Sequence, residues 1–218
     1  MNVLKFSLIF LLTVYFTNCF GQEDTLKSKE IRSSNLMIAY NSSLIYPGAR
    51  IGIETPVTAT YITRLLKSGD KKEIVKDAFI TANLSCYHHH DFHDNIYLTF
   101  GWTMRRTKSS GYFTEFSPEI GYSRTFLGGT TYKVNDNGDI AIEKLAGYNY
   151  ALVSVGGGIG YDFSVVKAKP FLVCYKINLL TMFPYNSTVY MRPAMELGFI
   201  YKPSHFLTFK VRSKRINR

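Results

Sequence analysis

The stretch YFTEFSPEIGYSRTF, Tyr112 to Phe126, separates into two lists when read at every second residue. One list is Tyr112, Thr114, Phe116, Pro118, Ile120, Tyr122, Arg124 and Phe126. The other is Phe113, Glu115, Ser117, Glu119, Gly121, Ser123 and Thr125. Successive side chains leave a strand on opposite faces, so an alternation of this length predicts a strand. One face is aromatic and aliphatic; the other is small, polar and acidic. What surrounds each face decides the fold.

The same alternation recurs along the chain. It predicts strands over Ala49–Thr55, Ala78–Tyr87, Ile96–Arg105, Tyr112–Phe126, Ala151–Ser164, Phe171–Phe183 and Val189–Tyr201. An eighth is either Leu36–Tyr46 or Phe206–Arg212. Turn-forming residues separate several of them, in KSSG (Lys108–Gly111), KAKP (Lys167–Pro170) and PYNS (Pro184–Ser187). Strands joined by hairpin-length links predict an antiparallel meander. Two links are longer. Thr58–Lys76 contains RLLKSGDKKEIVKDAF and suggests a short helix. Gly128–Gly147 contains Asn137-Gly138 between alternating runs, which predicts a small hairpin of its own.

Sorted by parity, one face of the predicted strands holds residues such as Ile51, Ile80, Leu84, Phe100, Trp102, Val155, Ile177 and Phe199. Its single charge is Arg124, near a strand end. The other face holds Arg50, Glu54, Arg105, Glu115, Glu119, Asp162, Lys176, Arg192 and Glu196. Among these charges lie Asn83, Ser117, Asn178 and many glycines, including Gly101, Gly121, Gly156 and Gly158. Two architectures fit. A soluble barrel or sandwich buries the apolar face. A transmembrane barrel turns it to lipid and lines its interior with the polar face.

Three features favour the transmembrane case. The polar face is poor in Lys and rich in Gly and Ser, and small residues have a steric reason in a narrow, filled lumen. Its charges nearly balance, four basic against five acidic, and can meet across strands. A hairpin centred on Ser109 sets Arg105 diagonal to Glu115, and one centred on Asn186 sets Lys176 opposite Glu196. Buried charges must be paired in this way. Aromatic residues, among them Tyr46, Tyr112, Phe126, Tyr148, Phe183 and Tyr201, gather near strand ends, where a lipid–water boundary favours them. The expected fold is therefore all-β, an antiparallel up-and-down transmembrane β-barrel of about eight strands. Its nine inward charges form a lumen ion-pair cluster. Cys86 and Cys174 are read on the outward face of non-adjacent strands and so as unbridged.

The chain has 218 residues, enough for one sizeable domain. Its start, MNVLKFSLIFLLTVYFTNCFGQ, has the basic, apolar and small-residue regions of an export signal, residues 1–21. A polar stretch, residues 22–35, follows as a disordered segment or linker, and the barrel domain occupies residues 36–218. The formal charge is +10, from 26 Lys and Arg against 16 Asp and Glu. Much of the excess lies between Lys202 and Arg218, a basic tail read as solvated. Export argues against a nucleic-acid partner.

The motifs CFGQ, GYFTEFSPEIGYSRTF, VGGGIGYDFS and PAMELGFIY resemble those of small exported outer-membrane β-barrel proteins of the type common in Bacteroidetes. The resemblance covers most of the chain after residue 21. It implies an outer-membrane location, with membrane lipid as the surrounding partner. Barrels of that kind end on an aromatic residue that closes the last strand; here the chain runs on past Phe209.

Chemistry-bearing motifs are few. YHHHDFHD gathers His88, His89, His90 and His93 with Asp91 and Asp94, imidazole and carboxylate groups able to hold zinc or copper. Their spacing matches no metal site, and a polar hairpin loop is the preferred reading. GGGIG (Gly156–Gly160) lacks the strand–turn–helix setting and downstream acid of a dinucleotide loop. Ser117 and His88 are the residues a lipid-modifying barrel enzyme could recruit, and the pair Glu115 and Glu119 could do acid/base work. Ion pairing accounts better for the glutamates. The expected function is a non-catalytic integral outer-membrane barrel with a structural or surface-interaction role and no cofactor or metal. The alternatives are a lipid-modifying barrel enzyme and a secreted soluble barrel holding a small apolar ligand.

Overall fold

The computed structural model describes residues 25–43, 46–65, 71–90, 92–185 and 188–217. The residues read as an export signal, Cys19 among them, and Asn186 lie outside them. The described chain is almost entirely strand. In order these are β1 (Thr25–Ser33), β2 (Asn35–Ser42), β3 (Gly48–Leu65), β4 (Lys71–His89), β5 (His93–Lys108) and β6 (Tyr112–Leu127). They continue with β7 (Thr131–Val134), β8 (Ile140–Glu143), β9 (Gly147–Asp162), β10 (Phe171–Tyr185), β11 (Thr188–Tyr201) and β12 (Thr208–Asn217). One short helix, α1 (Phe163–Lys167), joins β9 to β10.

Eight strands close a ring in the order β3-β2-β11-β10-β9-β6-β5-β4, and β4 returns to β3. Every pairing in the ring is antiparallel. The fold is an up-and-down barrel of eight strands, and its eighth strand is the N-terminal candidate, β2. The hairpin predicted at Asn137-Gly138 is present as β7–β8, with Gly138 at φ +83°. It pairs with no ring strand.

Three expectations are corrected. The segment read as a linker, residues 22–35, contains β1. The basic tail is β12, which pairs antiparallel with β1 and parallel with β3. Thr58–Lys76 is not helical in its described part: β3 runs to Leu65, and β4 starts at Lys71. Residues 66–70 lie outside the described residues.

The cause is local. β3 pairs with β2 as far as Glu54 and with β12 from Thr58. Pro56 sits at the changeover, beside a register shift toward β4. Proline has no N–H to give a ladder, and such irregularities bend a strand. On the other side Ser34 separates β1 from β2. Its backbone N–H donates to the carbonyls of Phe206 and Leu207 at 3.0 and 3.2 Å. The C-terminal strand is thus wedged between β1 and β3. The ring itself closes with β11, whose last residue is the aromatic Tyr201. β12 lies outside the ring.

The two faces are inverted relative to a soluble protein. Ile120 is 66% exposed, Phe100 52% and Trp102 38%, whereas Glu196 is 0%, Glu54 1% and Arg105 2% exposed. On β10 the outward residues run from Phe171 to Phe183. Twelve steps of roughly 3.4 Å make about 40 Å, or about 30 Å in height at a tilt near 40°. That matches the hydrocarbon thickness of a bilayer.

Candidate functional site

The barrel interior is where the polar face converges. One ladder row crosses five strands: Arg105 on β5 faces Glu115 on β6, which faces Gly158 on β9, then Lys176 on β10, then Glu196 on β11. Arg105 and Glu115 are directly opposed, not diagonal; the hairpin is centred one residue later than Ser109. Lys176 and Glu196 are opposed as the sequence predicts.

Side chains reach along and across this row to form one alternating chain of charge. Glu119 pairs with Arg50, which also meets Glu196 at 2.7 Å. Lys176 Nζ lies 3.7 Å from Glu196 and 2.8 Å from Glu115. Arg105 meets Glu115 at 2.8 Å and Glu54 at 2.7 Å. The sequence acid–base–acid–base–acid–base–acid therefore runs Glu119, Arg50, Glu196, Lys176, Glu115, Arg105, Glu54. Neutral groups take up some of the remaining valences. Asn83 donates to Glu119, Asn35 to Glu54 and Asn178 to Glu196, at 3.1, 3.0 and 3.2 Å. Arg50 Nη2 donates to Thr99 Oγ1 at 3.1 Å.

Glycine makes the crossing possible. Glu115 and Lys176 are separated by the whole of β9, and Gly158 is the residue between them. A Cβ there would stand 2.7 Å from Lys176 Cγ and 3.4 Å from Glu115 Cγ. The GGGIG run is thus a notch that lets two charges meet over an intervening strand. Its outward glycine, Gly157, has no atom nearer than 4.0 Å to such a Cβ.

Two of the nine predicted charges stand apart. Asp162 caps α1, accepting from the Ser164 backbone N–H at 2.9 Å, and pairs with Lys202 at the end of the barrel where β1 and β12 lie. Arg192 lies toward the opposite end, its guanidinium 3.7 Å above the Tyr87 ring. Sequence reading missed Thr99 and Asn35. Thr99 has inward parity within a predicted strand, a usable signal. Asn35 fell inside the segment read as a linker. One cysteine is corrected: Cys86 is exposed, but Cys174 is buried on the inward face, since it shares parity with Lys176. Both are free thiols.

The histidines sit at the β4–β5 turn. His88 Nδ1 is 2.6 Å from Asp94, and His89 stacks on Phe92 at 4.7 Å. Asp91 lies outside the described residues. Among the described residues no three His, Cys, Asp or Glu side chains are placed to hold a metal. Ser117 shares a 2.9 Å hydrogen bond with Thr103 inside the barrel, while His88 is exposed at one rim. Those two residues do not come together.

No protein-family model matches the chain, and no curated protein is similar to it in sequence. Solved structures similar in fold include those of two bacterial proteins. The N-terminal β-barrel domain of Pseudomonas aeruginosa OprF is 12% identical with a TM-score of 0.41, over 79% of this chain and all of that one. Neisserial surface protein A (NspA) is 10% identical with a TM-score of 0.40, over 82% of this chain and 99% of that one. At these values neither likeness carries a functional argument; the geometry above does.

Proposed function

We propose that this chain is an integral outer-membrane β-barrel with a structural or surface-interaction role and no catalysis. The observation that carries this reading is the inversion of its faces. A band of Ile, Leu, Phe and Trp encircles a barrel whose interior is crossed by an unbroken line of ion pairs. In water such a band would be an aggregation surface far larger than a monomer tolerates; in a bilayer it is solvated. A closed ring also leaves no unpaired backbone edge in hydrocarbon.

Rim chemistry supports the same placement. Tyr112, Tyr161, Phe163, Phe171 and Phe199 form a continuous aromatic girdle with ring centres 4.8–5.3 Å apart. Arg124, a charge on the outward face of β6, lies at the other rim. It donates to Asn149 at 2.8 Å and to the Leu145 carbonyl at 3.0 Å. The longest link, Gly128–Ala146 with its β7–β8 hairpin, lies at that rim too. Long loops are extracellular in such barrels, so this end faces outward. The hairpin presents Tyr132, Val134, Ile140 and Ile142 on one exposed face, the feature that supports surface interaction.

The filled lumen argues against a diffusion pore, and its charge argues against an apolar ligand in the core. The test is fractionation. The protein is expected in the outer-membrane fraction, extracted only by detergent, with gel mobility that changes on heating. Recovery from the soluble fraction without detergent would overturn the reading.

A further inference from the structure

Beyond the ring, β3, β4 and β5 continue past the end of β2 and carry β12 and β1 with them, forming a curved extension ordered β1-β12-β3-β4-β5. Its two faces differ in charge. The inward face holds Glu30, Glu73 and Asp77. Arg32 meets Asp77 at 2.6 Å, and Tyr61 donates to Glu30 at 3.0 Å. The outward face holds no acid. One ladder row on it reads Lys27, Lys214, Thr60, Lys76, Arg106. The neighbouring row reads Lys29, Arg212, Thr58, Ala78, Met104.

Position sharpens this. Trp102, Met104 and Arg106 are successive outward residues of β5, so the cations start one step, about 7 Å, beyond the apolar band. Lys27, Lys29, Lys76, Arg106 and Arg212 are exposed and Lys214 is half-buried. None of the six has an ion-pair partner among the described residues. The cations occupy the β1-β12-β3-β4-β5 side of the barrel. The aromatic girdle occupies the β6-β9-β10-β11 side of the same end. Anchoring therefore differs around the circumference, aromatic on one arc and cationic on the other.

We infer that this cationic arc binds the phosphates of anionic lipid headgroups in the leaflet at the end of the barrel where the chain termini of the described residues lie. Charge complementarity and continuity with the hydrocarbon-facing band select this occupant. A lysine or arginine one step outside the apolar band has its stem along acyl chains and its head at phosphate level. The inference rests on the transmembrane reading, and one probe separates the two. Trp102 is the single tryptophan of the chain, on the outward face two positions from Arg106.

The full-length protein is reconstituted into bilayers of phosphatidylcholine with phosphatidylglycerol, and one or the other lipid is brominated. Bromine quenches Trp102 fluorescence on contact. The expected result at low salt is quenching by brominated phosphatidylglycerol roughly fivefold above its share of the mixture. That preference is expected to vanish in the variant Lys76→Gln, Arg106→Gln, Arg212→Gln, Lys214→Gln, and to shrink at high salt as screening shortens. Equal quenching by both lipids in the wild-type protein would overturn the headgroup site and leave the barrel in the membrane. No quenching by either would overturn the membrane placement itself.

Discussion

At the scale of single residues the interior is governed by pairing. Arg105 joins Glu54 and Glu115, and all three are buried. Removing one partner of a buried ion pair strands the other's charge, which costs about 3–5 kcal/mol. Arg105→Met is therefore expected to lower the temperature of the heat-induced mobility shift sharply. Adding Glu54→Gln should recover part of the loss. The two adjacent glycines give a cleaner contrast. Gly158→Ala drives a methyl against Lys176 and should cost about 1–3 kcal/mol, by the general penalty for overpacking. Gly157→Ala points outward into open space and should be neutral or slightly stabilising. Denaturant titration of the two variants in detergent measures the difference. The alternation around Glu115 and Glu119 made their common face legible from sequence. The partners were less so. Arg50 meets Glu119 from three strands away around the ring, and no local pattern encodes that meeting.

At the scale of elements, the seven strands read from alternation are all present; the run read to Ser164 stops at Asp162, where α1 begins, whereas most run past the alternation at one end or both. β3 shows why. Its inward–outward pattern breaks at Pro56, where one extra residue shifts the register, so the alternation itself ends at Thr55. Past the break it continues with a new partner, β12. β1 and β12 were not read in full because charged residues stand on both faces of each, and it is the pairing of β12 with both β1 and β3 that orders them. Because the ring closes through β11 and β2, truncation after Pro203 is expected to leave a heat-modifiable barrel. β1 should then become a protease target ahead of the ring, as mass spectrometry of limited digests would reveal. Deleting Thr131–Glu143, which pairs only with itself, should change neither the mobility shift nor its midpoint temperature.

At the scale of the whole molecule, the line of charge from Glu119 to Glu54 crosses the lumen and blocks it. No stepwise conductance is expected when the protein is added to planar bilayers. The triple variant Arg50→Ser, Glu119→Ser, Glu196→Ser removes the middle of that line and should raise ion leak from liposomes. The period of two by itself determined that this chain forms strands with one apolar and one charged face, because a strand leaves its residues no other choice. It also brought four basic and five acidic residues to one face, close to balance. Which face looks outward required the closed ring, since parity is the same for a soluble barrel and its inverse. The seven-membered order of ion pairs and the cationic arc of β1, β12, β4 and β5 required tertiary structure as well. Both join residues far apart in sequence whose proximity depends on strand order and register, and neither of those is a local property of the chain.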